Sequence, residues 1–438
     1  MKRNIYQQLK IWKNKENHKP LLIFGQRQVG KTYIIRQFGK KEYKNFIEIN
    51  LMENERIKKL IETYSDIKEL IITILNMYNL SFNELNETLI FFDEIQESNR
   101  ALISLKLINE SDINANIICT GSYLGYLVKK DFSFPIGNVE LIYMKQMMFD
   151  EFLEAIDKKH ILNNAILSLK ENKNIDDFTH EILIEYFNKY LIIGGFPEVV
   201  KTYITNNFVA QEALAILKNI YNGYLYDIDK YSTIFKDKTF LRIIFKNINK
   251  FLINENKKFK FNEIDQNAKY RELEKYIIWL DNSNLVYKVN NIKNITSPLI
   301  DKEVFNNFKL YFNDHSFVTL SKNLFQIDDK DLYNKVKGGL CENFVFSQIK
   351  YDFEKYYFYK YLHNGKNYEV DLVVEDNKYN PCAIEIKSGT NFKLKGLRYI
   401  NSDIKKFVLS LSNYYEKENY INIPIYLSFM LKDIINDD

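Results

Sequence analysis

The segment Gly25-Gln26-Arg27-Gln28-Val29-Gly30-Lys31-Thr32 restricts the fold more than any other part of the chain. It has the form G-x4-G-K-T, follows the apolar run 20–24 and opens the helical pattern YIIRQFGK, which begins at Tyr33. Each part has a physical task. The glycines let backbone N–H groups close around phosphate, and the helix N-terminus adds the positive end of its dipole. Lys31 reaches the β- and γ-phosphates, and the Thr32 hydroxyl ligates Mg²⁺. Gly25 through Tyr33 are therefore the candidate ATP-binding residues, with Lys31 also a candidate in catalysis. Such a loop belongs at the C-terminal end of a parallel strand, which places the start of the chain in the α/β class.

The partner of such a loop is found at 88–94, Thr-Leu-Ile-Phe-Phe-Asp-Glu. An all-apolar run ending in two acids suits a strand buried on both faces, with its carboxylates at the ligand end. Asp93 would hold magnesium through water and Glu94 would polarise the attacking water, because phosphoryl transfer asks for metal and positioning. A further run, 116–119, leads into Thr120-Gly121-Ser122 and puts a hydroxyl near the γ-phosphate, with Ser122 the candidate. Apolar runs at 46–51 and 139–143 complete an expected five-stranded parallel sheet.

The phrases FGQRQVGKT, FFDEIQE, TGSYLG, FPIGNVEL, FDEFLEA and GGFPEVV resemble the AAA-type ATPases of an archaeal and bacterial family. Its members join a P-loop domain to a C-terminal nuclease-like domain of unknown function. The resemblance spans essentially the whole chain and implies an ATP-hydrolysing, Mg²⁺-dependent protein. One departure stands out: the chain reads Pro135-Ile136-Gly137-Asn138 where the family pattern has Pro-x-Gly-Arg. Arg100, just past the acidic pair, is the nearest replacement for an arginine finger, or else an ordinary helix residue facing water. A finger from a neighbouring subunit would require assembly, and no single sequence sets the oligomeric state.

From 147 to 232 the apolar spacing is helical, interrupted at Gly194-Gly195-Phe196-Pro197. Residues 236–289 follow the order helix, short helix, helix, strand, which is a winged-helix pattern. There Lys269, Arg271 and Lys275 either lie against DNA or form a solvated face.

The last third reads as an antiparallel meander over 356–362, 367–375 and 381–388. Alternation puts Glu369, Asp371 and Val373 on one face of the second strand, and Ala383, Glu385 and Lys387 on one face of the third. Glu342, Asp371 and Glu385-Ile386-Lys387 together resemble the PD-(D/E)xK nucleases. In that arrangement Asp371, Glu385 and Glu342 hold a divalent metal, and Lys387 steadies charge and orients water. The other readings are a solvated edge with an internal Lys–Glu pair, or an inactive relic of the fold. Three basic groups in 391–398 could track a nucleic-acid backbone or be ordinary surface charges. The segment 309–314 resembles the family's K-x-Y-x-x-D stretch, with no chemistry assigned beyond packing.

Composition limits what remains. With 438 residues, 46% hydrophobic and 27% charged, the chain is ordinary globular protein of several domains. Its three cysteines and five histidines have no zinc-type spacing, and its net charge of +4 neither demands nor excludes nucleic acid. No apolar run approaches the ~20 residues of a membrane span, and the start MKRNIYQQLK has no signal-peptide core, so a cytoplasmic protein is expected. The expected plan is an AAA-type P-loop domain (1–150), a helical connector or lid (151–233), a winged-helix-like domain (234–295) and an α+β restriction-endonuclease-like domain (296–438). Two functions are compatible with it. One is an ATPase coupling nucleotide state to nucleic acid, DNA favoured, with or without cutting. The other is a nucleotide-gated switch that binds a protein partner through an inert nuclease-like domain.

Overall fold

The computed structural model describes residues 1–121, 135, 137–232, 235, 239–253, 259, 270–321 and 330–437. The chain separates into two compact units, Met1–Lys145 with Lys230–Ile234, and Gln146–Asp229 with Phe235–Asp438.

Unit 1 contains α1 (Ile5–Asn14), β1 (Leu21–Gly25), α2 (Lys31–Glu42), β2 (Asn45–Asn50), α3 (Glu55–Thr63), α4 (Ile67–Met77), β3 (Thr88–Asp93), α5 (Asn99–Asn109), β4 (Asn116–Gly121) and β5 (Glu140–Met144). Among the described residues its five strands are all parallel, in the order β2-β3-β4-β1-β5, as the five apolar runs predict. Alternate residues of the central strands feed two cores. Leu21, Ile23, Leu89 and Phe91 pack under α1 and α2 with Leu9, Trp12, Ile34 and Phe38. Leu22, Phe24, Ile90 and Phe92 face α3 to α5 with Ile57, Ile74 and Leu105. This burial on both faces is why these strands read as unbroken apolar runs.

Unit 2 begins with α6 (Phe149–Ala155), α7 (Lys159–Lys170), α8 (Asp177–Ile193), α9 (Pro197–Thr205) and α10 (Ala210–Tyr231), and continues with α11 (Thr239–Ile253), α12 (Tyr270–Asn282), β6 (Val286–Ile292), β7 (Glu303–Phe312), α13 (Ser316–Ser321) and α14 (Lys330–Ile349). It ends with β8 (Tyr357–His363), β9 (Lys366–Glu375), β10 (Pro381–Ile386), β11 (Lys405–Ser410), β12 (Tyr415–Lys417), β13 (Tyr420–Pro424) and α15 (Leu431–Asn436). Among the described residues its strands form one eight-stranded sheet, β12-β13-β11-β10-β9-β8-β6-β7.

This partition differs from the four expected divisions. The helices of 151–233 are no separate connector, because α6 and α8 share a core with the C-terminal third: Phe149 lies 5.7 Å from Tyr190 and 6.2 Å from Tyr426, and Phe187 lies 4.9 Å from Phe344. The glycine interruption belongs to this core. Gly194 has φ 71°, a Cβ there would stand 2.3 Å from Asp314 Oδ1, and the Gly195 amide donates to Asp314 Oδ2. The division at 295/296 falls between β6 and β7, which are paired antiparallel neighbours. Helices α11 and α12 and β6 stand where helices and a strand were expected, and the expected short helix between the two helices lies outside the described residues. Strand β6 also pairs parallel with β8, so the would-be wing is part of the large sheet. Lys269 lies outside the described residues.

The meander β8-β9-β10 forms with a hairpin turn at Asn364 and Gly365, both at positive φ. Strict alternation along β9 does not hold. Tyr357 pairs with Val373 but Tyr359 with Val370, so Asp371 and Leu372 together oppose Phe358 in a bulge. Val370 and Val373 therefore enter the same core cluster, and Val373 does not share a face with Glu369 as the period of two predicts.

Candidate nucleotide site and acid–lysine cluster

The phosphate loop grows out of β1. Gly25 is tightly enclosed, since a Cβ there would stand 2.7 Å from the Met144 carbonyl of β5. Gly30, at φ 94°, turns the chain into α2 through a region that side chains disfavour. Val29, 1% exposed, anchors the loop in the core beneath it, while Tyr33 is 59% exposed. Lys31 is buried and donates to the carbonyls of Gly25 (2.9 Å) and Gln26 (2.7 Å). Burial lowers its pKa to about 8, against the opposing pull of Glu94 and Asp93.

Above about pH 8 a fraction of Lys31 is neutral, and a triphosphate beside it favours the ammonium form. ATP binding at about pH 8.5 is therefore expected to take up protons, and binding near pH 6.5 is not. Calorimetric titration in two buffers of different ionisation enthalpy checks this. Equal heats at the higher pH would contradict it.

Asp93 ends β3 as the shared acceptor of the site. Its Oδ2 accepts from the Thr32 hydroxyl at 2.8 Å, and its Oδ1 accepts from the Thr120 hydroxyl and from the Glu94 amide at 3.1 Å. The hydroxyl at the end of β4 that reaches this acid is thus Thr120; Ser122 lies outside the described residues. Glu94 takes the left-handed conformation, φ 54°, a strained geometry that turns its side chain off the strand axis, where Gln96 Nε2 donates to Oε2. Together Thr32 and Asp93 make an oxygen pair suited to Mg²⁺, which requires oxygen donors and usually keeps several waters.

Two arginines hold backbone carbonyls in this unit. Arg3, at the entry to α1, is buried and donates 2.7 Å bonds to the carbonyls of Val29 and Lys145, clamping the phosphate loop to the end of β5. No periodicity in the sequence signals that contact. Arg100 donates to the Tyr64 carbonyl at 3.2 Å, and Asn138 accepts from Asn109 at 2.9 Å.

In unit 2 the charged residues of the C-terminal pattern gather around two lysines. Lys309 of β7 is fully buried, its Nζ 2.7 Å from Glu369 Oε1 and 3.4 Å from Glu342 Oε1, with the Phe358 ring 4.9 Å away. Burial pulls its pKa down, but Glu342 and Glu369 outweigh this and hold the ammonium well above the usual lysine range. Lys360 also reaches Glu369, at 3.4 Å. Lys387 Nζ lies 2.5 Å from Glu385 Oε1, and its pKa is raised by Asp371 and Glu385 in spite of burial. The bulge brings Asp371 Oδ2 to the Ile386 amide at 2.8 Å, so this acid also caps the end of β10. Glu385 is 2% exposed, and its Oε2 has no hydrogen-bond partner among the described residues.

The structure thus brings Asp371, Glu385 and Lys387 together through β9 and β10, with Glu342 entering from α14. It adds Lys309 and Glu369, which the sequence reading left without a role. Among the described residues no three His, Cys, Asp or Glu side chains are grouped so as to hold a metal ion. The available signal was a lone charge inside Phe308-Lys309-Leu310-Tyr311-Phe312, a run too apolar to leave its lysine in water.

The parallel order of unit 1, with a glycine-rich loop after β1 and an acid pair after β3, is the arrangement of a P-loop nucleotide-binding domain. Residues 17–153 match the family described as an AAA domain. Residues 184–329 and 337–427 match two domains of unknown function, DUF8612 and DUF4143. Over 372 residues the chain is 28% identical to the uncharacterized protein MJ1544 of Methanocaldococcus jannaschii, covering 82% of this chain and 72% of that protein. Among solved structures it is similar to the Walker-type ATPase PABY2304 of Pyrococcus abyssi (16% identity, TM-score 0.42, covering 76% of this chain and 94% of that one). It is also similar to the ADP form of ORC2 of Aeropyrum pernix (11% identity, TM-score 0.29, covering 65% and 85%). No helix among the described residues is long and apolar enough to cross a membrane.

Proposed function

We propose that the protein is an Mg²⁺-dependent ATPase of the cytoplasm that couples its nucleotide state to nucleic-acid binding by unit 2, DNA in preference. The observation that carries the ATPase reading is the convergence of Thr32, Thr120 and the Glu94 amide on Asp93, beside a buried Lys31. The Gly25–Gly30 backbone cradles phosphate oxygens, Lys31 sets a positive charge against them, and Thr32 with Asp93 would hold the magnesium. That ion, when bound, neutralises charge on the phosphates. Glu94 orients a water and accepts its proton, and Thr120 keeps the Asp93 carboxylate in place.

Lys31→Ala is expected to weaken ATP binding about tenfold or more, because it removes the charge aimed at the phosphates. Equilibrium binding of a fluorescent ATP analogue checks this, and unchanged affinity would overturn the assignment.

For unit 2 the same proposal extends to metal-dependent cleavage, in which a divalent ion would have to draw Asp371, Glu385 and Glu342 into a ligand set that they do not form in this structure, with Lys387 orienting water. A second reading has its own support: Lys309, Lys360 and Lys387 already pair with Glu342, Glu369 and Glu385, which suits an inert cluster in a nucleotide-gated switch with a protein partner. Incubation with linear, circular and single-stranded DNA and with RNA, with Mg²⁺ or Mn²⁺, with and without ATP, separates the two. Cleavage and Mn²⁺ affinity that are lost in Asp371→Ala identify a nuclease. Intact ATP hydrolysis without cleavage, with Mn²⁺ affinity equal in wild type and Asp371→Ala, leaves the switch.

A further inference from the structure

Beside the acid–lysine cluster, a row of aromatic side chains on β8 and β9 runs from the edge of the core, where Tyr359 and Tyr361 pack, out to the surface. Tyr359 and Tyr361 stack with centroids 5.1 Å apart and planes at 13°. Tyr361 stacks on Tyr368 at 5.4 Å and 22°, and Tyr368 meets Tyr399 edge-on at 5.1 Å. His363 stacks on Tyr399 at 3.8 Å, and the Arg398 guanidinium lies 5.3 Å from the same ring. The core on this side of the sheet is filled by fully buried Val370, Val373, Ala383 and Val408, while Tyr359 and Tyr361 are only half-buried. Tyr399 is 38% exposed and Leu362 69%.

The exposed charges that flank the row in sequence are basic. Lys366, Lys393, Lys395 and Arg398 are exposed, and residues 389–401 contain three basic groups and no acid. Glu369, the acid next to Tyr368, is held by Lys309 and Lys360. The row also leads to the cluster: the Tyr361 hydroxyl donates to the Gly396 carbonyl at 2.8 Å, and the Gly396 amide lies 3.5 Å from Glu385 Oε1.

We propose that this face binds a single strand of DNA, with its bases stacked on Tyr368, Tyr399 and His363 and its phosphates along Lys393, Lys395 and Arg398. The proposal rests on the nucleic-acid reading of unit 2 and names its substrate as unpaired DNA. Aromatic rings interleaved with cations are the chemistry that holds single strands, because every base offers a flat face and every nucleotide a charge. A duplex hides those faces in its own stack and can use the cations alone.

The test is fluorescence anisotropy of the full chain with labelled oligothymidylate, a duplex of equal length and oligouridylate, at two salt concentrations. Wild type is expected to prefer oligothymidylate to duplex and to lose affinity with salt. Tyr399→Ala and Tyr368→Ala are each expected to weaken oligothymidylate binding about 5- to 100-fold, with duplex binding unaltered and Tyr399→Phe retaining wild-type affinity. Arg398→Ala is expected to reduce the salt slope by about one phosphate contact. The melting temperature of each variant identifies any that has failed to fold, and the rim position of Tyr399 and Arg398 makes these two the deciding pair. Wild type that binds DNA while folded Tyr399→Ala and Arg398→Ala bind it equally well would sink the stacking face and leave the nucleic-acid reading standing. Wild type that binds no nucleic acid removes both. Tenfold tighter binding of oligouridylate overturns the choice of DNA.

Discussion

Glu94→Gln is expected to retain ATP and to hydrolyse it about 10²–10⁴-fold more slowly than wild type, the range for loss of a positioned general base. The substitution preserves volume and leaves the left-handed backbone at this position unchanged. What it removes is the negative charge and the capacity to accept a proton from water. Asp93, Thr32 and Lys31 are untouched, so binding should persist. One secondary effect has a definite sign: Glu94 raises the Lys31 pKa, so its neutralisation moves that pKa below about 8 and makes ATP affinity fall off earlier at alkaline pH. Single-turnover phosphate release, with nucleotide retention on gel filtration, measures both parts. Turnover equal to wild type would remove Glu94 from the reaction; loss of ATP retention would make it a structural support of the loop.

The second large effect concerns stability. Lys309→Met is expected to destabilise unit 2 by about 3–5 kcal/mol, the penalty for breaking a buried ion pair from one side. Methionine fills most of the lysine's volume, so the effect comes from charge: Glu342, itself fully buried, loses the Lys309 ammonium 3.4 Å away, and Glu369 keeps Lys360. Adding Glu342→Gln to Lys309→Met should recover part of the loss, because the carboxylate left behind is what carries the penalty. The two tryptophans allow a clean measurement, since Trp12 reports on unit 1 and Trp279 on unit 2. In a Trp12→Phe background, urea unfolding followed by fluorescence reads unit 2 alone. A shift below about 1 kcal/mol would show that water reaches this cluster and that the pair is screened like one at the surface.

Local chemistry announced the candidate nucleotide site. Glycines at fixed offsets, a lysine and a threonine opening a helix, and acids ending an apolar strand are all set by neighbours in sequence, and their geometry follows once the parallel sheet forms. The parallel sheet was legible for the same reason: strands buried on both faces have no polar period to confuse the reading. The cross-strand contacts were not. Arg3 reaches Val29 and Lys145, and Lys309 reaches Glu342 and Glu369, across separations that no pattern of period 2 or 3.6 encodes.

The C-terminal third shows the same division in finer detail. Its meander, its hairpin turn at Asn364-Gly365 and the Glu385–Lys387 pair could be read from alternation and turn residues. The bulge at Asp371 could not, since an extra residue in one strand is visible only when the partner strands are in register. That bulge turns Val373 to the core and the Asp371 carboxylate to the Ile386 amide. Nor could the sequence place the helices before residue 230 in the C-terminal unit. Their apolar stripes required burial without naming a partner, and the choice was made by Phe149, Tyr190 and Phe344 finding one another. The sequence alone determined the loop, lysine and acids proposed to handle phosphate, because that chemistry is local. Tertiary structure decided which charges are buried together, because burial depends on what the rest of the chain lays over them.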